Sequence, residues 1–152
     1  MEQENVLTGS CLCRNVQFEI DGPIEILMHC HCSLCRKTSG SASNSVVFLP
    51  IEKFRWISGK SETTQLDVTT STAKGDRRVI ICNSCGSPLP DSYDGKSMCI
   101  PVGLIDNHFE PKLVINHHLA DKGWSLPSPQ NVLNFEEWYD KEQVSEIVQK
   151  WK

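Results

Sequence analysis

Cys82-Asn83-Ser84-Cys85-Gly86 is the stretch on which the rest of this chain turns. A C-x-x-C pair followed by glycine is the form of a zinc knuckle, a tight turn whose backbone N–H groups point at the thiolates and whose glycine accepts the left-handed conformation. Such a pair supplies two ligands of a tetrahedral site, so two more must come from elsewhere, and Cys11-Leu12-Cys13 is the unclaimed pair. Four sulfurs, from Cys11, Cys13, Cys82 and Cys85, would close a structural zinc site. That site would staple the start of the chain to its middle and contribute on the order of ten kcal/mol of folding free energy. Two plainer readings stand beside it. Cys11 and Cys13 could be buried apolar residues, since cysteine buries readily. Cys82 and Cys85 could be a redox dithiol, although that chemistry wants the pair to open a helix within a βαβ unit, and here Gly86, Pro88 and Pro90 follow.

Outward from the knuckle, the next cysteine group is Cys30-His31-Cys32-Ser33-Leu34-Cys35. A short helix is expected from Ser33, a good N-cap, through Arg36 and Lys37 until Ser39-Gly40 stops it. Cys30 and Cys32 precede that helix and Cys35 lies in its first turn, so three thiolates can converge at the positive end of a helix dipole. Three sulfurs without an evident fourth ligand make a zinc site with one open position, the arrangement of a catalytic metal. The competing reading is that a histidine closes the site and makes it structural too. His31 lies between two ligands and points away, while His29, His108, His117 and His118 have no place assigned by sequence. Cys99, within Met98-Cys99-Ile100, reads as a buried strand residue, and His117 and His118 as a strand end without special chemistry.

The remaining composition leaves room for little else. The 152 residues suit one domain, 39% are hydrophobic and 22% charged, and the formal net charge is −4; that is the profile of a chain that folds throughout. No run of cations exceeds a pair such as Arg77-Arg78, which argues against nucleic acid as a partner. Met1 to Gly9 has neither the basic start nor the apolar core of a secretory signal, and the apolar runs are too short to span a bilayer, so a soluble cytoplasmic protein is expected. In a reducing compartment, cysteines serve more often as ligands or nucleophiles than as disulfide partners.

Short strands are expected at residues 15–20, 24–29, 45–49, 65–69, 77–81, 97–102 and 112–116, each bounded by Gly, Pro, Ser or Asn, which makes the fold mainly β. A second helix is expected after Asn134, where Glu137 sits in capping-box position and Phe135, Trp138, Tyr139, Val144, Ile147, Val148 and Trp151 form one stripe. The expected organisation is a single domain over residues 1–152, with a zinc domain at about 8–135 and a helical extension at about 135–151.

Taken together, Gly9-Ser10-Cys11-Leu12-Cys13, the run from Cys30 to Gly40 and Cys82-Asn83-Ser84-Cys85-Gly86-Ser87-Pro88-Leu89 resemble the glutathione-dependent formaldehyde-activating enzyme family, which also takes in centromere protein V. Phe54-Arg55-Trp56-Ile57-Ser58-Gly59, Val102-Gly103-Leu104-Ile105-Asp106 and Gly123-Trp124 extend the likeness over roughly residues 8 to 135. The resemblance implies a tent-like fold of short antiparallel sheets and two zinc ions per chain. Cys11, Cys13, Cys82 and Cys85 would hold the structural zinc, and Cys30, Cys32 and Cys35 the catalytic one. The implied reaction is a carbon–sulfur lyase step, addition of the glutathione thiol to formaldehyde to give S-hydroxymethylglutathione, with Arg36 and Lys37 as possible contacts for a glutathione carboxylate. The rival is a non-enzymatic module in which both zincs are structural and the exposed strands or the C-terminal stripe bind a protein.

Overall fold

The computed structural model describes residues 6–70, 75–92 and 94–123, with Glu142, Glu146 and Gln149 as single helical, exposed positions. The expected C-terminal helix otherwise lies outside the described residues. Within residues 6–123, the described residues form ten strands and one α-helix in chain order: β1 (Val6–Ser10), β2 (Gln17–Asp21), β3 (Ile26–Cys30), α1 (Ser33–Ser39), β4 (Asn44–Pro50), β5 (Phe54–Ser58), β6 (Thr63–Val68), β7 (Arg77–Cys82), β8 (Asp91–Ser92), β9 (Ser97–Pro101) and β10 (Leu113–His117). The chain is mainly β, as expected.

Three small sheets result: β1-β2-β5, β10-β3-β4-β9-β8, and the ribbon β6-β7. In the first sheet, Phe18 and Ile20 alternate with outward Gln17 and Glu19, and both apolar side chains are only 1% exposed. Across the strand pair, Phe18 faces Trp56 and Ile20 faces Phe54. The three rings cluster, with Phe18 stacked on Phe54 at 5.4 Å and Phe54 edge-on to Trp56 at 4.9 Å, an arrangement that adds to simple area burial.

The five-stranded sheet carries the argument about function because its two faces differ. Register places Leu27, Val47 and Ile100 in one row, with Leu49 opposite Met98. That face packs into the core, where Val47 and Ile100 are fully buried. The period-2 alternation of strands sends Met28, Val46, Phe48 and Cys99 to the other face. Cys99 is a buried strand residue, as expected.

Several local expectations are corrected. All pairings are antiparallel except β10 with β3, which run parallel in the register Asn116↔His29, His117↔Cys30. The cap of α1 is Cys32, one residue before the expected Ser33, because the Cys32 sulfur accepts the Cys35 N–H. Gly40 stops the helix in the left-handed conformation, at φ 63°. Strands β1, β5 and β8 were not anticipated. In β1 the reason is Gly9, which interrupts the pattern: a Cβ there would lie 2.2 Å from the Phe18 ring and 2.8 Å from the Leu104 carbonyl oxygen. Only glycine allows the strand to approach so closely.

Candidate metal centres and the cleft beside them

The first cysteine cluster is where two turns meet. Residues 11–16 connect the ends of β1 and β2, closed by Cys11 N–H to Val16 O at 3.0 Å and Arg14 N–H to Cys11 O at 2.9 Å. The turn after β7 is closed by Gly86 N–H to Cys82 O at 2.9 Å, with Gly86 at φ 72° as a knuckle requires. Asn15 Nδ2 donates to Ser84 Oγ at 3.0 Å and Leu12 N–H to Ser87 Oγ at 3.1 Å, which holds one turn against the other. The sulfurs of Cys11, Cys13, Cys82 and Cys85 then lie within 4.8 Å of one another.

Those spacings decide between bonding modes. Cys11 Sγ to Cys13 Sγ is 3.5 Å and Cys13 Sγ to Cys82 Sγ is 3.8 Å, whereas a disulfide needs about 2.05 Å. Sulfurs about 2.3 Å from a tetrahedral zinc stand about 3.8 Å apart. The donor set fits a zinc ion, and all eight cysteines are free of disulfides. The turn amides work in the same direction. Hydrogen bonds from the Ser87 hydroxyl, the Ser87 N–H and the Cys13 N–H bring the Cys85 thiol down to about 5. Burial raises Cys11, but the Val16 N–H and the neighbouring thiols outweigh it and leave Cys11 below the usual range. Cys13 takes the opposite course: the Asn15 N–H lowers it, but burial and the three surrounding sulfurs push it up to about 12. Crowding of this kind keeps the proton on Cys13 until a cation takes its place.

The second cluster joins the end of β3 to the start of α1. The sulfurs of Cys30, Cys32 and Cys35 also lie within 4.8 Å of one another. Cys30 and Cys32 are buried and Cys35 is half-buried. Burial is the largest influence on Cys32 and raises it, but the Cys35 N–H and the adjacent thiols of Cys30 and Cys35 carry it below the ordinary thiol range. Burial and the neighbouring thiols of Cys30 and Cys32 push Cys35 up to about 12.

A cleft of about 360 Å³ opens beside this cluster on the outer face of the five-stranded sheet. Met28, Val46, Phe48 and Cys99 form its apolar wall, and Cys30, Cys35, His117 and Arg77 supply its polar chemistry. Arg77 is the one arginine or lysine among the described lining residues. Its neighbour Arg78 makes a bidentate pair with Asp91, at 2.7 and 2.8 Å. Arg36 and Lys37 are placed elsewhere. The Arg36 guanidinium donates to His31 O at 3.1 Å and Asp121 O at 3.3 Å, so it ties α1 to the turn after β10, while Lys37 is exposed on the helix surface.

The histidines divide as the sequence could not foresee. His29 Nδ1 lies 2.7 Å from Ser45 Oγ, His31 Nε2 lies 3.4 Å from Asn116 Oδ1, and His108 sits at the surface beside Glu110. His117 ends β10 and His118 follows it, at a strand end as expected, but their surroundings are not those of a plain strand end: the two imidazoles and the Cys30 sulfur offer donor atoms within 4.8 Å of one another. The parallel pairing of β10 with β3 delivers them there, and no local sequence signal announces it.

Fold and site together define a small β protein with two cysteine clusters spaced for soft metal ions, one of them opening on a cleft. This chain belongs to the glutathione-dependent formaldehyde-activating enzyme family, whose model matches residues 6–119. It is 30% identical over 87 residues to a Halomonas elongata protein that carries the name "Putative glutathione-dependent formaldehyde-activating enzyme". The match covers 55% of this chain and 54% of that protein, so the chain spans about half the length of the curated relative. A crystal structure of a Rhodobacter sphaeroides protein shares the fold, with a TM-score of 0.52 and 19% identity over 72% of this chain and 98% of that one.

Proposed function

We propose that this chain is a zinc-dependent carbon–sulfur lyase-type enzyme that adds a thiol, glutathione, to an aldehyde, formaldehyde. A thiol S–H and a carbonyl C=O combine: a carbon–sulfur bond forms and the thiol proton ends on the former carbonyl oxygen. In this reading Cys11, Cys13, Cys82 and Cys85 hold a structural zinc, and Cys30, Cys32 and Cys35 hold the second ion. Zinc at the second cluster would supply a Lewis-acid position for either a thiolate or an aldehyde oxygen.

The observation that carries the reading is the juxtaposition of a three-cysteine cluster with an apolar cleft containing a cation. A closed structural site has no use for such a cleft, whereas a catalytic site needs one position open to the substrate. The volume falls within the range of small-molecule pockets. Arg77 can take a glutathione carboxylate in bidentate fashion, the geometry for which guanidinium is suited, and this role falls to it in place of Arg36 and Lys37. Arg77→Ala is expected to raise KM for glutathione about tenfold or more, with kcat little changed; an unchanged KM removes Arg77 from the substrate site.

The rival, a zinc-stapled scaffold without turnover, draws on the imidazoles beside Cys30, since a protein side chain in the last coordination position would close the site. Elemental analysis separates the two when combined with an assay of glutathione-dependent formaldehyde consumption on the native chain, Cys30→Ser and Cys85→Ser. The enzyme reading expects two zincs and turnover in the native chain. It also expects one zinc, a retained fold and no turnover in Cys30→Ser, and a loss of folding in Cys85→Ser. Two bound zincs with formaldehyde consumed no faster than without protein would leave the scaffold.

A further inference from the structure

Beyond the three-cysteine set, the end of β10 presents a second group of donors. His117 stands opposite Cys30 in the parallel register, and the pairing is extended by His31 N–H donating to His117 O at 3.1 Å. If the strand continued, His118 would point to the opposite face. Instead, its backbone takes the left-handed conformation, at φ 57° and ψ 36°, which is uncommon for a residue other than glycine. The turn keeps both rings on one side, with centroids 5.0 Å apart. As a result both imidazoles lie with the Cys30 sulfur inside one 4.8 Å group.

The surroundings of His118 add a second, independent indication. Its Nδ1 lies 3.5 Å from Asp121 Oδ2. A carboxylate on one ring nitrogen is the usual partner of a metal-bound histidine, because it orients the ring and makes the other nitrogen a better donor. The turn that bears Asp121 is in turn held by Asp121 N–H to His118 O at 3.0 Å and by the Arg36 guanidinium on Asp121 O. Strained backbone maintained by this many contacts tends to mark a functional position.

We propose that Cys30, His117 and His118 form a second, mixed donor set of one sulfur and two nitrogens, sharing Cys30 with the three-thiolate set. An ion held by Cys30, His117 and His118 takes these three donors in place of Cys32 and Cys35 and not besides them, so one position stays open to substrate as the proposed function needs. Imidazole with thiolate suits zinc and cobalt(II) alike, so cobalt serves as a coloured probe of the same site. The inference rests on the proposed function only in taking Cys30 as a metal-binding thiolate.

The test counts cobalt ions per full-length chain by titration and reads the sulfur-to-cobalt charge-transfer band. Cys32→Ser/Cys35→Ser keeps a capping side chain at position 32, so α1 retains its N-cap. This variant is expected to hold two cobalt ions with a weakened charge-transfer band, and adding His117→Ala and His118→Gly is expected to reduce it to one. Glycine at 118 accepts the positive φ. In an otherwise unchanged chain, His117→Ala/His118→Gly is expected to weaken the affinity of the cleft ion on the order of tenfold or more, without moving that of the other ion. If Cys32→Ser/Cys35→Ser holds one ion and the histidine variant binds like the native chain, the mixed set does not exist. Cys30→Ser distinguishes the failures: if it still binds two ions, the cleft centre itself is misassigned, whereas if it loses one, only the histidine donors are.

Discussion

At the residue scale, the grouping of the cysteines was legible and most of the steric detail was not. Cysteine spacing alone separated Cys11, Cys13, Cys82 and Cys85 from Cys30, Cys32 and Cys35, because a ligand pair two or three residues apart can reach one ion only through a tight turn, and such turns have a recognisable sequence. Arg36 shows the limit of this. A cation beside a metal motif suggests a substrate contact, yet its guanidinium donates to the carbonyls of His31 and Asp121, acceptors that no sequence pattern displays. Gly59 was visible only as part of a family motif, and the structure supplies its physical reason. Its φ is +71°, and a Cβ there would lie 2.1 Å from the Asn15 carbonyl oxygen, in the loop that carries Cys13. Gly59→Ala is therefore expected to cost about 2 kcal/mol or more, from left-handed strain plus a backbone clash. The midpoint of urea unfolding in the presence of zinc reads this directly, and an unchanged midpoint would mean that the β1–β2 turn can shift without loss.

At the element scale, most strands with clean alternation were foreseen, whereas β1, whose pattern Gly9 breaks, the two-residue β8, and β5 were not. The parallel pairing of β10 with β3 could not be read at all, because register between distant strands is set by tertiary packing rather than by either strand's own sequence. That pairing brings His117 to Cys30. It also explains the position of Arg36, which spans from α1 to the turn at Leu119–Asp121 and packs so tightly on Gly123 that a Cβ there would lie 2.3 Å from its Nη1. The residue thus acts as a clamp between two elements that both border the second cluster. Arg36→Ala is expected to destabilise the chain by about 2 kcal/mol, the loss of hydrogen bonds from a charged donor, and to speed release of the cleft ion to a chelator while leaving KM for glutathione little changed. A large rise in KM with unchanged stability would instead return Arg36 to the substrate site.

At the scale of the whole molecule, the two clusters have different mechanical duties. The ribbon β6-β7 has only two strands, and its Leu66 and Val68 are exposed; a two-stranded ribbon of this kind is marginal by itself in water. The ribbon is joined to the β1–β2 turn by the Asn15–Ser84 and Leu12–Ser87 hydrogen bonds and by the four sulfurs. Cys11 and Cys82 are buried to 2% and 1% exposure, so an ion there is shielded and its binding energy is coupled to folding. The second cluster caps a seven-residue helix and opens on the cleft through half-buried Cys35; an ion bound there, as proposed above, would leave with the sheets intact. A strong chelator is therefore expected to withdraw zinc in two separate phases. The first should be fast, abolish formaldehyde consumption and leave the far-ultraviolet circular dichroism almost unchanged. The second should be slower and coincide with loss of the strand signal, because the ribbon and the β1–β2 hairpin separate when the four-sulfur site is emptied. Simultaneous release of both ions with unfolding would show that the cleft ion, too, is a staple, and would shift the weight of the fold from the knuckle to the sheet that carries His117 and Cys30.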